Sequence, residues 1–278
     1  MNVVAVQAGT SPVILAFPHA GADVPGFVWE NLNDHGRLLA DTDWHIDRLY
    51  EGLLPAATTV RANFHRYVID ANRDPAGGSL YPGQNTTGLV PETDFDGEPI
   101  WQVGQQPATM EIAARVTQFH APYHAALAAE IARVRQAQGV AVLYDCHSIR
   151  SRIPFLFPGR LPDFNLGTND GRSCVLAVEN AAAEVVRATP GFTSVINGRF
   201  KGGWTTRHYG RPEEGRHAIQ MELAQSTYLA SEAAPFAYDP AKAAAIRVRL
   251  RLILERIEAE ATALAAPCQS ASAYPVTA

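Results

Sequence analysis

The apolar run Val140-Ala141-Val142-Leu143-Tyr144, which breaks off into Asp145-Cys146-His147-Ser148, restricts the fold of this chain more than any other stretch. Side chains on a strand alternate between two faces, so an unbroken apolar run of strand length belongs to a strand buried on both sides. Such strands lie in the middle of parallel sheets covered by helices, which makes this an α/β protein. Open sheets of that kind carry their functional groups at the carboxyl ends of the strands. Here that end delivers an acid, a histidine and a serine.

The pattern recurs twice. Val13-Ile14-Leu15-Ala16-Phe17 runs into Pro18-His19-Ala20-Gly21, and Ala218-Ile219-Gln220-Met221 runs into Glu222. Two strand-end histidines and a strand-end glutamate are the parts of a zinc hydrolase. Neutral imidazoles bind the ion, an acid completes the set, and a carboxylate outside the coordination sphere moves protons. His19 and His147 are therefore expected as ligands and Glu222 as the general base. The plainer reading gives each histidine a backbone hydrogen bond and Glu222 an arginine partner. The recurrence of the pattern favours the metal.

The acidic ligand is sought in Asp41-Thr42-Asp43-Trp44-His45-Ile46-Asp47, at the start of a helix expected over residues 43–54. Asp43 and Asp47 share one face at i and i+4. Asp43 suits a helix cap, whereas Asp47 lies beyond the capping turn, so Asp47 is the expected ligand, with Asp43 and His45 as alternatives. Asn72-Arg73 resembles a carboxylate clamp, because a guanidinium presents a planar fork of donors. Arg150, Arg152, Arg199, Lys201, Arg207 and His208 crowd the same regions of the sequence. That cationic company implies an acidic substrate such as a dicarboxylate.

At 278 residues and 47% hydrophobic content, the chain is large enough for one three-layer α/β/α domain with a mixed, mostly parallel sheet. This domain is expected over residues 1–265, with residues 266–278 a flexible Ser/Ala/Pro tail. A net charge of -5 without a Lys/Arg block gives no reason to expect nucleic acid. No window holds the roughly 20 apolar residues of a membrane span, and no basic region precedes the N-terminal apolar residues. Cys146, Cys174 and Cys268 form no C-x-x-C pair, so neither a thiolate zinc site nor a disulfide framework is expected, and a reducing cytoplasm is the simplest home. Further strands are expected at residues 58–62, 66–70 and 192–196, and helices at 107–138 (interrupted near Pro122), 174–187 and 240–264. Loops are expected at 159–170 and 197–215. Residues 76–106, rich in Gly, Pro, Thr and Asp, are too long for an idle connection and suit a lid or pocket wall.

Longer motifs add a resemblance. Pro18-His19-Ala20-Gly21, Asp41 to Asp47, Arg66-Tyr67-Val68-Ile69-Asp70-Ala71-Asn72-Arg73, Leu80-Tyr81-Pro82-Gly83-Gln84, Asp145 to Ser151, Gly198 to Gly203, Thr206 to Gly210 and Gln220-Met221-Glu222-Leu223-Ala224-Gln225 together resemble the N-formylglutamate amidohydrolases. They run from about residue 11 to 229. That family is similar to the zinc carboxypeptidases, whose sheet carries His, acid and His ligands, a glutamate base and an Asn-Arg clamp. His19, His147, Glu222 and Asn72-Arg73 fall in matching order. The carboxypeptidase acid that follows the first histidine falls at Ala22, so the resemblance implies a more distant carboxylate. It further implies hydrolysis of N-formyl-L-glutamate to formate and L-glutamate in histidine degradation. Arg73 and Arg207 would hold the substrate carboxylates, and the loop from Tyr81 to Asp96 would limit acyl size. Zinc is the implied ion, although two histidines and a carboxylate also accept cobalt or manganese. The competing readings are a hydrolase of another N-acyl amino acid and a non-catalytic protein binding a metal or dicarboxylate. No G-x-S-x-G elbow supports a serine hydrolase. Oligomeric state has no signal in the sequence.

Overall fold

The computed structural model describes residues 2–78 and 85–265, so the Leu80-to-Gln84 motif and the expected tail lie outside the described residues. Among those described, seven strands form one sheet: β1 (Val4–Gln7), β2 (Val13–Phe17), β3 (Thr58–Ala62), β4 (Ala141–Ile149), β5 (Phe164–Gly167), β6 (Ser194–Ile196) and β7 (Arg216–Ala224). Their order across the sheet is β1-β3-β2-β4-β7-β5-β6. The inner strands β3, β2, β4 and β7 run parallel. β1 joins antiparallel to β3, and β5 antiparallel to β7 with β6 parallel beside it. The run that anchored the sequence reading is the central strand β4, and every residue in it is buried.

Helices α1 (Gly26–Trp29), α2 (Ile46–Tyr50), α3 (Thr109–Arg115), α4 (Ala121–Gln138), α5 (Leu176–Arg187), α6 (Trp204–Tyr209) and α7 (Pro240–Ala265) complete the described fold. On one face, Leu15, Val142, Tyr144, Cys146, Ile219 and Met221 pack against Leu49 of α2, Val178 and Ala182 of α5, and Ile246, Leu250 and Ile253 of α7. On the other, Ile14, Ala16, Ala141, Leu143 and Ala218 pack against Tyr123, Leu127, Ile131 and Val134 of α4. The layers are α/β/α and the sheet is mixed but mostly parallel, as expected.

Strand alternation positions the site. On the α4 side of β4, Ala141 and Leu143 are followed by Asp145 and His147, and on β7 Ala218 is followed by Gln220 and Glu222. The register sets Asp145 beside Gln220 and His147 beside Glu222. Each strand thus switches from apolar to polar on one face as it reaches its carboxyl end.

Four expectations change. Residues 66–70 form a buried turn, with Val68 N–H donating to His65 O at 2.9 Å. A short apolar run such as Tyr67-Val68-Ile69 buries itself as readily in a turn as in a strand. Residues 159–170 contain β5, which is too short to show a period. Residues 197–215 contain α6. The helix expected over 43–54 shrinks to α2, because His45 takes a left-handed backbone (φ 60°) ahead of it and Gly52 (φ 69°) follows it. Over residues 107–138, α3 and α4 are joined by a π-helical turn at Val116–His120, just ahead of Pro122. No helix among the described residues is long and apolar enough to cross a membrane.

Candidate active site

His19 follows the end of β2, and His147 lies near the end of the neighbouring strand β4. The Asp43 backbone N–H donates to His19 O at 3.1 Å, which draws the turn before α2 onto the strand ends. Asp43 Oδ2 lies 3.2 Å from His147 Nδ1 and 3.9 Å from His19 Nδ1. One ligand atom from each of the three buried residues lies within 4.8 Å of the others. Ligand atoms about 2.1 Å from a tetrahedral zinc ion stand roughly 3.4 Å apart, so these three can hold a divalent ion after small adjustments.

The surroundings fit such an ion. Each imidazole turns its far nitrogen to a second acid: His19 Nε2 lies 2.7 Å from Asp70 Oδ1, and His147 Nε2 lies 3.0 Å from Asp145 Oδ2. For His19, the proton held at Nε2 by Asp70 leaves the Nδ1 lone pair available to a metal. His19 Nδ1 is buried and has no hydrogen-bond partner. Burial and the Arg66 guanidinium lower the His19 pKa, with Asp70 and Asp43 pulling the other way, which keeps the ring in its neutral, ligating form. For His147, burial works against the charged ring, but Asp145 and Asp43 outweigh it and hold the pKa well above the ordinary value. Arg66 Nη2 donates to Asp43 Oδ1 at 2.8 Å and keeps that carboxylate ionised despite its burial.

Glu222 lies beside His147, and its Oε2 accepts a 3.0 Å hydrogen bond from Gln220 Nε2. Burial pushes its pKa up to about 8; Asp43 and Asp145 add to the rise, while His147 and Arg66 oppose it. The Asn72 amide nitrogen stands 3.2 Å from His147 Nε2, and Asn72 Oδ1 accepts from Thr205 N–H at the start of α6 (2.9 Å). Arg73 lines the same cavity. Its Nε and Nη2 donate to the Thr87 carbonyl and hydroxyl at 2.9 and 3.0 Å, and its Nη1 to Asn72 O at 3.1 Å.

These residues border a cavity that opens to solvent. His19, Asn72, Arg73, His147 and Glu222 make its polar side, and Phe95, Ile149, Leu156 and Phe200 its apolar side. Asn85, Thr86, Thr87 and Phe95 line it too, so the described part of the long loop is a pocket wall.

Two expected residues fall elsewhere. Asp47 does not join the histidines: its Oδ2 pairs with Arg61 Nε at 2.9 Å, with both side chains about one-third exposed, and its Oδ1 accepts from Arg48 N–H. The cause is the late helix start. Asp43 belongs to a buried turn and caps nothing, while Asp47 occupies the first turn of α2, where an acid suits the helix dipole. His45, the other alternative, places Nε2 3.1 Å from Phe236 O. Arg207 is not among the residues lining the cavity; it sits one helical turn beyond Gly203 and its Nε donates to Gly202 O. The arginines on the wall are Arg66, Arg73 and Arg199. Arg66, Asp70, Asp145 and Gln220 escaped the sequence reading of the site. Asp145 carried a usable signal, since it lies two residues before His147 and so shares its face.

Known proteins resemble this chain over most of its length. The family model for N-formylglutamate amidohydrolase matches residues 11–229. The N-formylglutamate deformylases of Pseudomonas aeruginosa and Pseudomonas putida are 45% and 43% identical to this chain over 257 residues, covering 92% of it and 96% of each relative. The crystal structure of N-formylglutamate amidohydrolase from Ralstonia eutropha superposes with a TM-score of 0.77 at 26% identity, covering 94% of this chain and 98% of that one. A gene product of Agrobacterium tumefaciens shares the fold, with a TM-score of 0.68 at 22% identity over 94% of this chain and 96% of that one. On the span of the family match and the identity to these relatives, the chain belongs to the N-formylglutamate amidohydrolase family.

Proposed function

We propose that the cavity hydrolyses N-formyl-L-glutamate to formate and L-glutamate, as a step of histidine degradation in the cytoplasm. The observation that carries this reading is the buried His19–Asp43–His147 cluster beside Glu222, in a cavity walled by arginines, within a chain of this family. His19 Nδ1, the Asp43 carboxylate and His147 Nδ1 would hold zinc, or cobalt or manganese in its place. When bound, the ion supplies a Lewis acid for the formyl oxygen and makes a water acidic enough to ionise near neutral pH.

The protein's own groups do the rest. Glu222 takes a proton from the attacking water and returns it to the amide nitrogen as the C–N bond breaks, so the hydroxyl stays with formate and glutamate leaves as the amine. A pKa of about 8 would leave Glu222 largely protonated at neutrality, and a cation nearby shifts it back toward the carboxylate a base requires. Arg73, steadied by Thr87, and the Asn72 amide take a substrate carboxylate, with Arg199 supplying further positive charge on the wall. Phe95, Leu156 and Phe200 restrict the acyl group. The order of strand-end ligands, glutamate base and Asn-Arg pair supports kinship with the zinc carboxypeptidase arrangement, with Asp43 as the distant acid.

The test is release of formate and glutamate from N-formyl-L-glutamate by the purified protein, before and after chelation and zinc return, with N-acetyl-L-glutamate for comparison. Chelator-sensitive turnover of the formyl compound is expected. Equal turnover of the acetyl compound would move the assignment to a broader N-acyl amino acid hydrolase, and inertness of zinc-loaded protein toward both would overturn it.

A further inference from the structure

We infer that Gln220 is a positioning residue that fixes which oxygen of Glu222 exchanges protons, a reading that rests on Glu222 being the base. Gln220 and Glu222 are two residues apart on β7 and share a face, and Gln220 is only 4% exposed. The two ends of an amide look alike, but their neighbours decide the orientation. Gly203 N–H can only donate, and it lies 2.6 Å from one end of the amide, which must therefore be Oε1. The other end is Nε2, and it donates to Glu222 Oε2 at 3.0 Å.

The consequence is local. Glu222 Oε2 faces an N–H, so a proton arriving at this carboxylate settles on Oε1 and leaves from Oε1. Swapping the two oxygens by rotating the carboxyl group would break the bond to Gln220. The water proton and the proton returned to the leaving nitrogen thus pass through one atom, and no other donor or acceptor is needed to balance the reaction.

Gly203 ties this device to the substrate clamp. A Cβ on Gly203 would lie 2.3 Å from Asn72 Nδ2, so the bare backbone packs against the Asn72 amide while its N–H engages Gln220. Asn72, Gly203, Gln220 and Glu222 form one connected row from clamp to base. Gln220 holds the spacing between the group that orients the substrate and the group that moves its proton.

The experiment compares wild type with Gln220→Met, Gln220→Glu and Glu222→Gln, measuring kcat and KM for N-formyl-L-glutamate, zinc stoichiometry and melting temperature. Gln220→Met keeps the volume without the amide. Gln220→Glu keeps an acceptor for Gly203 and sets a carboxylate against Glu222, so it carries the test should the methionine variant fail to fold. A 10- to 100-fold fall in kcat is expected in both, with KM within threefold and zinc still bound one to one. Wild-type kcat in the Gln220 variants, with Glu222→Gln inactive, would overturn the inference alone. A loss explained by missing zinc or by a collapsed melting temperature would overturn it as well, by reducing Gln220 to a structural part. An inactive wild type, or an active Glu222→Gln, would instead refute the reading on which it rests.

Discussion

Replacing Asp43 and Asp47 in turn by asparagine separates the carboxylate that the structure places at the histidines from the one that the helical pattern favoured. Asp43 Oδ1 accepts from Arg66, and Oδ2 from Ser148 N–H at 3.1 Å while lying 3.2 Å from His147 Nδ1. Asparagine has one oxygen for two donor-only neighbours, so whichever way it turns, its NH₂ opposes either the guanidinium or the Ser148 N–H. Removing one partner of a buried ion pair costs about 3–5 kcal/mol. Attraction of Arg66 to Asp70, Asp41 and Glu222 puts the cost here at the low end, about 3 kcal/mol. Zinc affinity should fall at least 100-fold, because losing a ligand exceeds the roughly 10- to 100-fold cost of losing an outer partner. Asp47→Asn disturbs only a partly exposed pair with Arg61, worth about 0–1 kcal/mol after screening, and leaves zinc binding unchanged. The assay is competition for zinc against a chromogenic chelator, with melting curves alongside. Zinc at about 100 times its dissociation constant adds about 2.7 kcal/mol to the wild type, a rise of roughly 5 °C. Asp47→Asn should show that rise and Asp43→Asn should not. Normal zinc affinity in Asp43→Asn would refute the assignment of the cluster.

Two further outcomes follow from the packing around Asn72 and Ala71. Gly203→Ala would place a methyl 2.3–2.6 Å from three atoms of the Asn72 amide, so Asn72 must swing away from both Thr205 N–H and His147; KM for N-formyl-L-glutamate should rise more than tenfold with about 1–3 kcal/mol lost in stability, and an unchanged KM would show that the amide plays no part in binding. His124, whose Nε2–H donates to Ala71 O at 2.8 Å, has its pKa pushed down to about 3 by burial, with His120 adding to the effect. Its folded value lies below its unfolded one, so the unfolded chain binds the extra proton and stability falls as pH drops from about 6.5 toward 3, by up to about 1.4 kcal/mol per unit from this group. Denaturation curves between pH 7 and 5 should show that slope, and His124→Gln should flatten it; equal slopes would place the acid sensitivity elsewhere.

What the sequence disclosed and what it hid divide along physical lines. The inner strands β2 and β4 were legible because a strand buried on both faces must be apolar throughout, and His19, His147 and Glu222 were legible because each ends such a run. Asp43 was legible only as the alternative to Asp47, since its place depends on one left-handed residue, His45, that no periodicity encodes, and without that kink Asp43 looks like a cap. Arg66 and Asp70 were hidden in a buried turn whose apolar composition imitates a strand. β5 escaped because four residues carry no period, and α6 because the glycines ahead of it suggest loop. Asp145 and Gln220 could have been found: alternation from His147 and Glu222 puts each on the site face, two residues back.

The outer carboxylates explain why the site is more than three ligands. Asp43, Asp70, Asp145 and Glu222 converge on two imidazoles and one buried guanidinium, and at the ordinary charges of these groups the negative side exceeds the positive. Two groups record the excess in their affinity for protons. His147 is held charged by Asp145 and Asp43 despite its burial, and Glu222, already raised by burial, is raised further by the same two acids. His19, Asp43 and His147 could hold a divalent cation, which would replace the proton on His147 and offset the negative charge around Glu222. Asp70 meanwhile holds the His19 Nε2 proton, which leaves Nδ1 as the lone pair that this ring can offer. The charge crowding that would otherwise weaken the core is thus what would favour a bound cation, and such a cation would shift Glu222 toward the carboxylate that the proposed base role requires.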